Sequence, residues 1–76
     1  MAELLAYLAR ELVDTPGAVR VETEERDGEI VLLLSVAPDD VGKVIGRNGR
    51  IVRALRQVVR ASAIHENRRV QLEVVD

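Results

Sequence analysis

Residues 41–51 read Val41-Gly42-Lys43-Val44-Ile45-Gly46-Arg47-Asn48-Gly49-Arg50-Ile51, and the fold turns on how this stretch is read. Gly46 and Gly49 enclose two polar residues, Arg47 and Asn48, with the apolar pairs Val44-Ile45 before them and Ile51-Val52 after. Glycine has no Cβ, so the backbone can turn tightly there and another molecule's backbone can come close. The apolar flanks anchor both approaches to the turn in a core. A basic, glycine-edged turn leading into a helix suits a phosphate, because the helix N-terminus offers unpaired N–H groups and the positive end of its dipole.

Hydrophobic periodicity gives the elements on either side. Asp39 and Asp40 stand where a short helix should begin, since carboxylates are favourable at that end of the dipole, and Gly46 ends it. A second helix runs from Gly49 to about Ile64. Its wheel places Ile51, Ala54, Leu55, Val58 and Ser62 on one face, extended by Val52 and Val59. Arg53, Arg56 and Arg60 gather on the opposite face, with Arg50 toward the turn.

Upstream, residues 2–14 set Leu4, Leu5, Leu8, Leu12 and Val13 at helical spacing, and Thr15-Pro16-Gly17 ends that helix. Val19, Val21 and Thr23 alternate with Arg20, Glu22 and Glu24 as a half-exposed strand. Asp27-Gly28 then marks a two-residue hairpin. The return strand, Glu29 to Ala37, is apolar nearly throughout, which predicts a central strand covered on more of its surface; Pro38 stops it. After a turn at Asn67, Val70, Leu72 and Val74 alternate with Gln71 and Glu73 as a last strand. The order αββααβ predicts an α+β, two-layer sandwich: a three-stranded sheet with three helices on one face.

At 76 residues the chain has room for one domain, 1–76, and a single modest core. Apolar residues are 47% and charged residues 32%, a balance expected of a soluble, folded domain. The absence of cysteine excludes disulfides and thiolate metal sites, and it fits a cytoplasmic location. No apolar run approaches the roughly 18 residues that span a bilayer, so no membrane partner is expected. Glu3 beside Leu4, with no basic leader, argues against a signal peptide.

The net charge of −2 conceals an asymmetry. Residues 1–40 carry ten acidic and three basic side chains, whereas residues 41–65 carry six basic and none acidic. A polyanion responds to that local field and not to the mean. Tyr7 is the only aromatic residue, which argues against surfaces that stack bases on rings. His65, the only histidine, stands at a helix end where a cation suits the dipole. There is no nucleophile–base pair, no metal-ligand cluster and no Gly-x-x-x-x-Gly-Lys loop, so neither enzyme, cofactor nor metal is expected.

With this order and this turn, the chain resembles a KH domain of the type II topology. The resemblance rests on the pattern Val-Ile-Gly-x-x-Gly-x-Ile as it stands from Val44 to Ile51, on the helices that flank it, and on the preceding hairpin. It covers the whole chain, and a chain that is only this module resembles the small bacterial single-KH family called KhpA. The resemblance implies single-stranded RNA as ligand, a global or chaperone-like role, a homodimer, and pairing with a larger KH-containing protein of the KhpB kind. It also implies a site. Arg47 and Asn48, with the amides of Gly46 to Gly49, would face the sugar–phosphate backbone. Gly42, Val44, Ile45, Ile51 and Leu55 would lie about the groove for bases, and Lys43, Arg50 and Arg53 would contact phosphates. Arg56 and Arg60, furthest from the turn, are expected to form a solvated face. A dimerisation module with little nucleic-acid affinity is the alternative reading.

Overall fold

The computed structural model describes residues 1–75. Its elements are α1 (Ala2–Leu12), β1 (Arg20–Arg26), β2 (Glu29–Ser35), α2 (Val41–Ile45), α3 (Arg50–Ser62) and β3 (Val70–Val75). Single 3-10 turns stand at Pro16–Ala18, Pro38–Asp40 and Arg47–Gly49. The predicted order and class therefore hold, and the helices end one or two residues sooner than periodicity suggested. The most apolar strand, β2, lies at the centre of the sheet order β1-β2-β3, antiparallel to β1 and parallel to β3.

The hairpin forms for the expected reason. Asp27 and Gly28 both adopt positive φ, 52° and 82°, which matches the strand twist and leaves Arg26 opposite Glu29. That register turns Ile30, Leu32 and Leu34 toward the helices, beside Val70 and Leu72 of β3. Leu5 and Ala9 of α1, Val44 of α2, and Val52, Leu55 and Val59 of α3 complete the core from above. On the other face of the sheet, Val31 is still only 2% exposed, and Arg26 pairs there with Glu24 and Glu73.

The packing of α3 differs from the predicted face. Its buried line is Val52, Leu55, Val59 and, just past its end, Ala63, while Ala54, Val58 and Ser62 are exposed and Ile51 is half-buried. The apolar arc of α3 is wider than the contact that a three-stranded sheet and α1 can give it. Half of that arc enters the core, and the other half borders α1 as an open apolar groove. Among the described residues no helix is long and apolar enough to cross a membrane.

Candidate nucleic-acid interface

The turn between α2 and α3 is fixed by backbone geometry before any side chain acts. Gly46 ends α2 with φ 78° and ψ 169°, a region open essentially to glycine alone. A Cβ at this position would lie 2.6 Å from Ile51 Cγ1 and 2.9 Å from the Ile51 backbone nitrogen. Ile51 is thus packed directly onto the glycine, so the first apolar residue after the turn sets its shape. Asn48 (φ 56°) and Gly49 (φ 72°) both sit in the left-handed region, which asparagine tolerates better than most residues. The Gly46 amide donates to Gly42 O at 2.9 Å, and the Gly49 amide to Gly46 O at 3.1 Å. Arg47 and Asn48 stand outward at the tip.

Among the described residues Arg47, Arg50, Arg53, Arg56 and Arg60 pair with no carboxylate, whereas Arg26, Arg68, Arg69 and Lys43 all do. Arg53 folds back toward the turn: its Nη1 is 3.6 Å from where a Gly49 Cβ would be. Gly42 is exposed on α2 with open space above it. Ile45 and Ile51 are half-buried beside the turn.

Two expected site residues have other surroundings. Val44 is wholly buried, so the position expected at the groove serves the core instead. The Lys43 ammonium is held by the Asp14 carboxylate and lies 3.7 Å from Asp40 Oδ1. The hydrogen bond to Asp14 above all raises its pKa over the ordinary lysine value, against the opposing effect of desolvation. Asp40 also departs from expectation. Its side chain does not cap α2, and it is 2% exposed, accepting the backbone N–H groups of Asp14 and Thr15 at 3.3 and 3.0 Å. A buried carboxylate with its acceptor sites filled in this way ties the end of α1 to the start of α2.

Beyond the turn, the arginine face of α3 looks across to β3. Arg56 and Arg60, expected to be idle, line a cleft of about 910 Å³ with Arg68, Arg69 and the edge of β3. Arg68 is anchored to Glu25 and to Gly28 O, and Arg69 to Glu29, which fixes the loop before β3 against the hairpin. The Ile30 amide donates to Arg69 O at 2.8 Å, which sets the phase of the parallel ladder. Arg69, Gln71 and Glu73 therefore bond inward, leaving the backbone groups of Val70, Leu72 and Val74 on the open edge. The spacing Arg53, Arg56, Arg60 was visible as a stripe; the strand it would face was not, because that depends on β3 taking the edge.

Comparison with known proteins follows the same lines. The family model described as KhpA/KhpB, KH domain, matches residues 2–74. The chain belongs to the KhpA/KhpB KH-domain family. RNA-binding protein KhpA of Clostridium acetobutylicum is 47% identical over 75 residues, covering 99% of this chain and all of that protein. RNA-binding protein KhpA of Treponema pallidum is 53% identical over 74 residues, 97% of this chain and 92% of its own length. Two solved structures share the fold. Era of Aquifex aeolicus bound to GDP and AlF4− has a TM-score of 0.68 at 21% identity, matching 96% of this chain and 28% of that one. Era with MgGDPNP and nucleotides 1506–1542 of 16S ribosomal RNA has a TM-score of 0.61 at 20% identity, over 97% and 30% of the two chains. The KhpA/KhpB family is non-enzymatic, as the sequence predicts.

Proposed function

We propose that the chain is a single-stranded RNA-binding KH domain that grips the RNA backbone at Gly46–Gly49. One observation carries this reading: a glycine-bounded turn, rigid by construction, stands among Arg47, Arg50 and Arg53, none of them neutralised by a carboxylate among the described residues. The amides and Arg47 hold phosphates, Asn48 meets the sugar–phosphate backbone, and Gly42 leaves the approach over α2 open. Bases lie along Ile45 and Ile51 and continue into the cleft between α3 and β3. There Arg56 and Arg60 supply charge, and the open edge at Val70 and Leu72 supplies hydrogen-bonding groups that need no aromatic ring. KH domains clamp about four nucleotides in this way. A site this short discriminates little between sequences, which supports a global or chaperone-like role. The KhpA relatives are called RNA-binding proteins, which agrees with RNA as the ligand.

The test is Arg47→Asp with Asn48→Asp, since Asp also tolerates left-handed backbone and the fold should persist. Affinity for a short single-stranded RNA should be lost while the thermal transition is kept. Binding equal to the native chain at low salt would remove the turn from the site.

The open groove between α1 and α3 supports a second, compatible reading as a dimer. It has a volume of about 370 Å³ and is lined by Leu8, Leu12, Ile51, Ala54, Leu55 and Val58, with Glu11 and Arg50 at its rim. Leu4 and Tyr7, 37% and 58% exposed, extend the apolar surface along α1. Glu11 and Arg50 carry opposite charges, which a two-fold axis can pair between copies. The same surface is suited to a larger KH-containing partner of the KhpB kind.

A further inference from the structure

The clasp around Lys43 has a consequence for where RNA can run. This inference rests on the RNA reading above. Lys43 lies one turn before Gly46 on α2, at roughly 1.5 Å of rise per residue, so its flexible four-carbon stem brings the ammonium within reach of a phosphate at the turn. By position it belongs to the same basic segment as Arg47 and Arg50. Its partners set it apart: Asp14, projecting from the end of α1, and Asp40, buried beneath it, leave this corner with one cation between two carboxylates.

We propose that Asp14 and Asp40 clasp Lys43 away from nucleic acid, so that the RNA tract runs from the turn along α3 toward β3 and not across α2 to the end of α1. Asp40 is the fixed half of the clasp, because its carboxylate also holds the Asp14 and Thr15 amides. Asp14 is the removable half: its side chain is exposed and has no other partner among the described residues. The two ends of the turn thereby differ in sign. Along α3, Arg50, Arg53, Arg56 and Arg60 pair with no carboxylate among the described residues, and behind α2 the only lysine is neutralised.

A double-mutant cycle on RNA binding tests the clasp, using the full chain, a short single-stranded RNA and a salt series. Asp14→Ala keeps the backbone N–H that Asp40 accepts. It should tighten binding roughly twofold to fivefold at low salt, the scale of one exposed ion pair, and steepen the salt slope by ~0.7 for one more phosphate neutralised. Lys43→Gln in the native background should change affinity less than about twofold, the low end of that same scale. Lys43→Gln added to Asp14→Ala should abolish the gain. A loss from Lys43→Gln in the native chain as large as that from Arg53→Gln would mean that Lys43 already touches RNA and would overturn the clasp. So would a gain that survives in Asp14→Ala/Lys43→Gln, which would be charge acting at a distance. No binding by the native chain at low salt overturns the RNA reading together with the clasp; binding with no coupling between the two residues overturns the clasp alone.

Discussion

Three glycines of the central stretch have different physical reasons to be glycine, so substituting each by alanine should give three different results. At Gly46 the added Cβ meets Ile51 Cγ1 at 2.6 Å and the Ile51 backbone nitrogen at 2.9 Å, and the backbone there is at φ 78°. A side chain could yield, but the Ile51 nitrogen is held by the first turn of α3. Strain in this backbone region costs about 1–3 kcal/mol and overpacking about another 1–3 kcal/mol. A chain of this length has a total stability on the order of 4–11 kcal/mol, so Gly46→Ala should lower Tm by roughly 10–30 °C or unfold the domain. Gly49 has room, with its nearest neighbours at 3.6 and 3.9 Å, and only its φ of 72° opposes a side chain, at about 1–2 kcal/mol. Gly42 is helical with nothing within 4 Å, so alanine there should stabilise by roughly 0.4–1 kcal/mol. Urea unfolding at constant m-value reads all three. Gly46→Ala no less stable than Gly49→Ala would refute the claim that Ile51 is seated on the turn.

The cleft between α3 and β3 is tested with Arg56→Gln and Arg60→Gln together, which should weaken RNA binding and reduce the salt slope by ~1.4, or ~0.7 for each phosphate no longer neutralised. An unchanged slope would return both arginines to a solvated face. Val58→Arg, in the open groove, should turn a concentration-dependent dimer into a monomer in sedimentation while RNA binding per chain persists at the turn. Asp40→Ala should cost roughly 1–3 kcal/mol in chemical denaturation, because two backbone N–H groups lose their acceptor. An unaffected midpoint would show that Asp40 does not tie α1 to α2.

The fold was legible because each local signal agreed with the others. Asp27-Gly28 fixed a hairpin, the apolar run of residues 30–34 named the central strand, and the spacing from Val44 to Ile51 placed a rigid turn between two helices. What escaped depended on contacts between distant residues. Asp40 looked like a carboxylate placed for the dipole of its own helix, yet its hydrogen bonds go 25 and 26 residues back along the chain. Lys43 looked like one cation among six in its segment, and only the approach of Asp14 from the end of α1 neutralises it. The face of α3 was placed too far round because a wheel records which residues are apolar and not how much of the arc a neighbour covers. Arg56 and Arg60 could be assigned a partner surface only once β3 was known to take the edge beside α3.

The central claim is that RNA is held at Gly46–Gly49 and continues along α3 to the edge of β3. Amide chemical shifts of labelled protein, followed while a short single-stranded RNA is titrated in, address it most directly. The account predicts that the largest changes fall on residues 46–50, with a continuous trail through Arg53, Arg56 and Arg60 to residues 68–72, while the sheet face carrying Glu22 and Glu24 stays unmoved. Changes centred on the α1–α3 groove, or none at the turn at saturating RNA, would contradict it.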